Sequence, residues 1–116
     1  MRIWKMALER VFQLRVRKHL KLLPNLWFFK ASERSLAGIP DFILCVNGIF
    51  VALELKRDTK SKASRLQQYN LEIINKSGGL GLVVNPDNWV KVFGVLKKLS
   101  EGGSYDRNEL GTSERT

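Results

Sequence analysis

The chain has one cysteine, one histidine and no apolar run that approaches the ~20 residues of a membrane span. Cys45 has no second cysteine for a disulfide, and its apolar neighbours predict a small buried side chain. Because His19 is the only histidine, a His-rich metal site is excluded, and a bound metal would be one that prefers oxygen ligands. We expect His19 at the surface or at a helix end.

The N-terminal residues lack the apolar segment and cleavage site of a signal peptide, which predicts a cytoplasmic location without a membrane partner.

Positively charged residues clearly outnumber negatively charged ones. The chain has 20 Lys and Arg against 11 Asp and Glu, a formal charge of +9 at pH 7. Residues 1–35 are especially basic, with Glu9 and Glu33 as their only acids. A small domain with this charge is predicted to bind a polyanion, most often a nucleic acid, although charge can also serve solubility alone.

Hydrophobic periodicity predicts three helices. They are Ile3–Leu23, Ser64–Lys76 and a third that begins at Asn85-Pro86-Asp87. In the first helix we expect one apolar stripe to face the core, and its members are Ile3, Trp4, Ala7, Leu8, Val11 and Leu14.

Strands are predicted at Leu26–Lys30, on both sides of Asn47-Gly48, and at Leu80–Val84. The strand–helix–strand unit near the C-terminus implies parallel pairing, whereas the hairpin is antiparallel. The fold class is therefore α/β, with one mixed sheet flanked by helices. Residues 1–99 form one predicted domain, and residues 100–116, which are polar and rich in Gly and Ser, are predicted to be a disordered tail.

The hairpin brings two distant carboxylates together. Asn-Gly favours a two-residue turn, so Val46 faces Ile49 and, further out, Asp41 faces Glu54. One face of this hairpin is wholly apolar and must be buried, which fixes the register. Directly opposed carboxylates repel each other, and a divalent cation would convert that repulsion into a binding site. Lys56 lies on the same face as Glu54, because strand side chains alternate.

Two helical residues each have two interpretations. Glu9 shares a helix face with Val16 and Leu20, so it either reaches the Asp41/Glu54 site or pairs with a surface neighbour. Gln67 shares an apolar face of the second predicted helix, and it is either a buried hydrogen-bonding residue or part of the same site.

The motif Pro40-Asp41 followed by Glu54-Leu55-Lys56 resembles the PD-(D/E)XK nuclease signature. The flanking Gly38-Ile39, the helix start with Ser64 and Gln67, and Gly78-Gly79 before a valine strand are similar to the VRR-NUC subgroup. Stand-alone members of that subgroup include phage-type proteins related to Holliday-junction resolvases. The resemblance extends from Glu9 to Leu99.

This resemblance implies a restriction-endonuclease-like αβββαβ(α) core and a role for each matched residue. Asp41 and Glu54, with the Leu55 carbonyl, would bind Mg²⁺ or Mn²⁺. Lys56 would orient or deprotonate the attacking water. Gln67 would support the site, and Glu9 occupies the place of a helical acid in related resolvases.

The implied activity is metal-dependent endonuclease cleavage of DNA, selective for branched structures because no base-reading motif is present, with no organic cofactor. Relatives act as homodimers, and a dimer is expected here. The residues expected to contact DNA are Lys30, Arg34, Ser35, Arg57, Lys60, Lys62 and Arg65. The alternatives are a non-catalytic nucleic-acid-binding module that keeps the nuclease fold, and a structural or inhibitor protein of a phage or mobile element.

Overall fold

The computed structural model describes residues 2–31, 37–106 and 110. Its elements, in chain order, are α1 Arg2–Leu20, β1 Leu26–Lys30, β2 Phe42–Val46, β3 Ile49–Leu55, α2 Arg65–Lys76, β4 Leu80–Val84 and α3 Trp89–Ser100. The α/β class and the order of elements predicted from the sequence are confirmed. No helix among the described residues is long and apolar enough to cross a membrane.

The four strands form one mixed sheet in the order β1-β2-β3-β4. The first three strands are antiparallel and β4 is parallel to β3. Helices α1 and α3 pack on one face, where they enclose the hydrophobic core with alternate strand residues. Helix α2 packs on the other face, where Gly81 lets the backbone of Leu71 approach β4 closely.

The hairpin has the predicted turn and register. Asn47 and Gly48 have φ values of 48° and 88°, the left-handed conformation that a two-residue hairpin turn requires. Val46 pairs with Ile49 and the ladder runs without a bulge to Phe42 and Leu53. The face predicted to be buried is buried, except at Ile49 beside the turn, which is partly buried. Cys45 on the other face is exposed, so the prediction of a buried thiol is wrong.

The apolar stripe of α1 that was expected to face the core is exposed. The side of α1 that enters the core carries Phe12, Val16 and Leu20 instead. This helix has apolar residues on two sides, and periodicity alone does not decide which side meets the sheet. Helix α1 also ends at Leu20, before the predicted Leu23, and a turn follows.

Helix α3 begins later than predicted, at Trp89. Asn85 Oδ1 accepts hydrogen bonds from the N–H groups of Asp87 (2.8 Å) and Asn88 (3.0 Å), which holds a turn before the helix. His19 lies near the end of α1, as expected, and its Nδ1 accepts a hydrogen bond from Trp89 Nε1 at 2.8 Å.

The predicted domain boundary after residue 99 falls inside α3. Ser100 is the last residue of this helix and is buried. Tyr105 and Leu110 are partly buried against the core, so contacts with the domain extend past residue 100. Residues 107–109 and 111–116 lie outside the described residues, and disorder there stays a prediction.

Candidate active site

A cavity of about 380 Å³ lies at the open end of the β2–β3 hairpin. Its lining comes from α1, the start of β2, the end of β3 and the loop that follows. The residues are Glu9, Phe12, Gln13, Asp41, Glu54, Leu55, Lys56, Arg57, Ser61 and Lys62. The fold therefore brings Asp41 and Glu54 to one cavity, as the sequence predicted, and Glu9, whose position the sequence left open, lines the same cavity.

Asp41 precedes β2 and is held by the neighbouring strands. Its backbone carbonyl accepts a hydrogen bond from Ala31 N–H at 2.8 Å. Its Oδ2 accepts another from the Leu55 N–H at 2.8 Å. The Asp41 carboxylate is thus tied to the end of β3, next to Glu54.

The segment before Asp41 is fixed against α2. Gly38 has a φ of 80°, and a side chain at this position would overlap Leu66. The Gly38 carbonyl accepts a hydrogen bond from Asn70 Nδ2 at 2.8 Å. Gly38 therefore permits the close approach that positions Asp41.

Glu54 is almost completely buried, with 2% of its surface exposed. Its Oε2 accepts a hydrogen bond from Gln67 Nε2 at 2.8 Å and lies 3.4 Å from Lys56 Nζ. Its Oε1 is buried and has no hydrogen-bond partner among the described residues. A buried carboxylate oxygen without a partner is costly, and such an atom calls for a ligand or a proton.

The environment of Glu54 favours its protonated form in the absence of a cation. Burial, and then the negative charge of Asp41, raise the pKa of Glu54 from 4.5 to about 7. Lys56 acts in the opposite direction, through its charge and its hydrogen bond. A bound divalent cation would reverse this balance, since it stabilises both carboxylates in their ionised forms.

The donor set fits a hard divalent cation. Asp41 and Glu54 supply carboxylate oxygens, and one of these, Glu54 Oε1, has no other described partner. Within the described ranges, no three His, Cys, Asp or Glu side chains form a metal cluster. Two carboxylates would therefore need a backbone carbonyl, water or phosphate oxygens to complete the coordination, which is how Mg²⁺ is usually bound.

Gln67 is positioned by the start of α2. The Ser64 N–H donates to Gln67 Oε1 at 2.8 Å, and the Gln67 N–H donates to Ser64 Oγ at 3.1 Å. This capping box fixes the amide so that its Nε2 faces Glu54. Gln67 therefore contacts the Glu54 carboxylate, and a role for it beyond this hydrogen bond stays a prediction.

Glu9 lines the cavity, but its carboxylate is paired with Arg57. The Arg57 Nη1 lies 3.1 Å from Glu9 Oε1, and its Nε lies 3.6 Å from Asp58 Oδ2. The partner of Glu9 belongs to the loop after β3 and not to α1. The pair joins α1 to the rim of the cavity.

The predicted DNA-contacting residues are distributed unevenly. Arg57 and Lys62 line the cavity, while Lys60 and Arg65 are exposed nearby in the chain. Lys30 is partly buried at the end of β1. Arg34 and Ser35 lie outside the described residues.

Sequence reasoning missed three contributors to the site. Gln13 follows Glu9 by one helical turn, so the spacing used for Glu9 also places Gln13 at the cavity. Ser61 lines the cavity from the loop, and its N–H donates to Asp58 Oδ1 at 2.8 Å. Asn70 holds the Gly38 carbonyl, a contact that no local pattern indicates.

Glu54 should make the stability of the metal-free protein depend on pH. Because folding raises its pKa, the folded state binds the proton more tightly, and the free energy of unfolding falls as the pH rises from 4.5 to about 7. We expect the free energy of unfolding to fall by about 2 kcal/mol over this range. This is less than the whole pKa shift of Glu54 would give, because the cavity is open to solvent. Glu54→Gln should remove the contribution of Glu54 to this pH dependence. The measurement is urea unfolding at a series of pH values in the presence of EDTA.

The matched control is Glu101→Gln, which removes an exposed carboxylate paired with Lys97 at 3.3 Å. It should keep the pH profile of the parent protein. A Glu54→Gln profile that coincides with that of the parent would contradict the prediction.

A solved structure described as "VRR_NUC domain protein" is similar to this chain. The TM-score is 0.53 and the sequence identity is 24%, over 69% of this chain and 72% of the other. At this identity the likeness shows the fold, and the predicted restriction-endonuclease-like α/β class is confirmed. No family model matches the sequence, and no curated protein matches it.

Proposed function

We propose that this protein is a metal-dependent endonuclease of the VRR-NUC type that hydrolyses DNA phosphodiester bonds. The observation that carries the proposal is the buried Glu54 Oε1, which has no partner in the described part of the chain and lies beside Asp41 in a cavity that basic side chains also line. A site of this kind combines ligands for a cation with positive charge for a phosphate. The shared fold with a VRR_NUC domain protein supports the same assignment.

Mg²⁺ or Mn²⁺ would be held by Asp41, Glu54 and the Leu55 carbonyl. When bound, the cation supplies Lewis-acid chemistry, which polarises a phosphoryl oxygen and lowers the pKa of a coordinated water. Asp41 and Glu54 contribute oxygens that the fold has already fixed in place through Leu55 and Gln67. This preorganisation reduces the cost of assembling the site.

Lys56 would act on the reacting groups. Its ammonium lies 3.4 Å from Glu54 Oε2 and is about one-fifth exposed, so it faces the cavity while paired with the carboxylate. A cation at this place stabilises negative charge that develops on the phosphate and can orient the attacking water. Gln67 would keep Glu54 Oε2 occupied, which leaves Oε1 for the metal.

The DNA backbone would be held by the basic loop after β3 and the start of α2. Lys60 and Arg65 are exposed there, and Lys62 lines the cavity. Contacts to phosphates position DNA without reading its sequence. Together with the resemblance to Holliday-junction resolvases, this favours branched DNA as the substrate. A domain of this size is small for a branched junction, and we propose that it acts as a homodimer.

The test is cleavage of four-way-junction, flap and linear DNA with Mg²⁺, Mn²⁺ or EDTA. We expect cutting that requires the divalent cation and is fastest on the branched substrates. Binding without cutting on every substrate and with either metal would instead favour a non-catalytic nucleic-acid-binding module. Equal cleavage rates on branched and linear DNA would support the nuclease activity and refute the proposed preference for branched DNA.

A further inference from the structure

Arg57 is held at the rim of the cavity by two acids that belong to different elements. Its Nη1 donates to Glu9 Oε1 of α1 at 3.1 Å, and its Nε lies 3.6 Å from Asp58 Oδ2 in the loop after β3. Its Nη2 contacts no residue in the part of the chain that the structure describes. Because the Arg57 side chain is 23% exposed and lines the cavity, these N–H groups can still donate to a ligand at the rim.

Both acids are themselves held in place. Asp58 Oδ1 accepts hydrogen bonds from two backbone N–H groups of its own loop, at 2.8 Å and 2.9 Å, which closes a turn and leaves Oδ2 for Arg57. Glu9 lies three residues before Phe12, whose side chain is buried in the core and anchors this part of α1. The Arg57 guanidinium is therefore oriented from two fixed supports.

Glu9 is not placed as a third ligand for the cation. Within the residues that the structure describes, no three His, Cys, Asp or Glu side chains are grouped so that they could hold one metal ion, so Glu9 does not join Asp41 and Glu54 in such a group. The Oε1 atom of Glu9 is occupied by a guanidinium, whereas Glu54 Oε1 has no described partner. Although Glu9 occupies the place of a helical acid in related resolvases, its contact is with an arginine.

We propose that Glu9 is a positioning residue for DNA: it acts through Arg57, whose guanidinium it holds at the cavity rim for a backbone phosphate, and it does not bind the cation. The inference rests on the proposed nuclease function, since it assigns a phosphate to the same cavity. A guanidinium presents five N–H donors in a planar fork that suits phosphate oxygens, and the two acids occupy only part of it. A fork that is already oriented loses less conformational freedom on binding than a free side chain does.

The direction of the change in DNA affinity distinguishes this role from that of an ordinary surface acid. The chain has a net charge of +9, and removal of an exposed acid makes it more positive, which should tighten its binding to DNA. Removal of Glu9 should instead weaken binding, because Arg57 loses its orientation. If Glu9 only masked the charge of Arg57, its removal would tighten binding.

The test is the affinity of the full chain for a four-way DNA junction, measured by fluorescence anisotropy in EDTA at several salt concentrations. We expect the Kd to rise about threefold to tenfold for Glu9→Ala and about tenfold or more for Arg57→Gln. Arg57→Gln should also reduce the slope of log K against log [salt] by about one. In the double variant the Kd should equal that of Arg57→Gln alone, because Glu9 acts only through Arg57.

The matched control is Glu101→Ala. The Glu101 side chain is 50% exposed and its Oε2 lies 3.3 Å from Lys97 Nζ, compared with 49% and 3.1 Å for Glu9 and its partner Arg57. Glu101 does not line the cavity, so its removal should leave the Kd for the junction unchanged or slightly lower. Circular dichroism establishes that each variant is folded.

The affinity for Mn²⁺ separates a positioning residue from a ligand. Calorimetric titration without DNA should give Glu9→Ala the Mn²⁺ affinity of the parent protein. Glu9→Gln can still accept the hydrogen bond from Arg57 Nη1, so it should recover most of the DNA affinity that Glu9→Ala loses. A metal ligand would not be replaced by a neutral amide in this way.

Four results would overturn the inference. They are a parent protein that does not bind the junction, a Glu9→Ala protein that binds it as tightly as Glu101→Ala, a further loss of affinity when Glu9→Ala is added to Arg57→Gln, and weakened Mn²⁺ binding in Glu9→Ala.

This inference and the nuclease can fail separately, because none of these measurements requires cleavage. Variants that bind as expected in a protein that cuts nothing would count against the proposed activity alone. A metal-dependent nuclease whose Glu9→Ala variant binds the junction like Glu101→Ala would count against the role of Glu9 alone.

Discussion

Asp41→Asn should lower the rate of metal-dependent DNA cleavage by about 10³-fold or more, which corresponds to several kcal/mol of lost transition-state stabilisation. The substitution removes one of the two charges that would hold the cation. The Asn side chain can still accept the hydrogen bond from Leu55 N–H, so the loop before β2 keeps its anchor. The measurement is single-turnover cleavage of a four-way junction with saturating Mn²⁺.

The same variant makes a prediction about stability that separates chemistry from folding. The negative charge of Asp41 raises the pKa of Glu54, so its removal should ease ionisation of Glu54. We therefore expect Asp41→Asn to be as stable as the parent at pH 8, or slightly more stable, while inactive. Asp87→Asn, an exposed carboxylate outside the cavity, is the matched control and should cut normally. An Asp41→Asn protein as active as the parent would refute the nuclease assignment.

Lys56→Ala should lower the cleavage rate by about 10²–10³-fold while leaving Mn²⁺ affinity at pH 8 nearly unchanged. The ammonium is placed to act on phosphate and water, whereas the proposed ligands are Asp41, Glu54 and the Leu55 carbonyl. Lys56 also lowers the pKa of Glu54, so its loss should weaken metal binding mainly at lower pH, where protons compete for the carboxylate. Calorimetric titration and single-turnover kinetics measure the two effects.

The control for this variant is Lys76→Ala at the far end of α2. Lys76 is exposed and lies away from the cavity, and its Nζ is 4.0 Å from Glu72 Oε1. It removes the same charge from the chain but should leave both cleavage and Mn²⁺ binding unchanged. Lost Mn²⁺ affinity in Lys56→Ala at pH 8 would show that Lys56 organises the metal site instead of acting on the reactants.

The hairpin shows what local sequence can predict. Asn47-Gly48 selects the turn, and the turn selects the register, whose last pair is Phe42 with Leu53. Asp41 and Glu54 are the next residues beyond that pair. Each step depends on residues a few positions apart and on strand alternation. The proximity of the two carboxylates was therefore predictable from the sequence, as was the position of Lys56.

Helix α1 and Cys45 show where local sequence fails. The apolar residues of α1 occupy two sides, and the side that enters the core is decided by how α1 lies on β3. Cys45 has apolar neighbours in the chain, but it is exposed because α2 covers only the β3–β4 half of the sheet. Both outcomes depend on which surface another element occupies, which no window of sequence contains.

The sequence by itself determined the order of elements, the hairpin register and the carboxylate pair, because each follows from neighbours in the chain. The tertiary structure decided what surrounds that pair. It brought Gln67 into a hydrogen bond with Glu54 Oε2, 13 residues away in the sequence, and paired Glu9 with Arg57, 48 residues away. It also left Glu54 Oε1 buried without a partner among the described residues, since burial depends on the packing of all the elements around it.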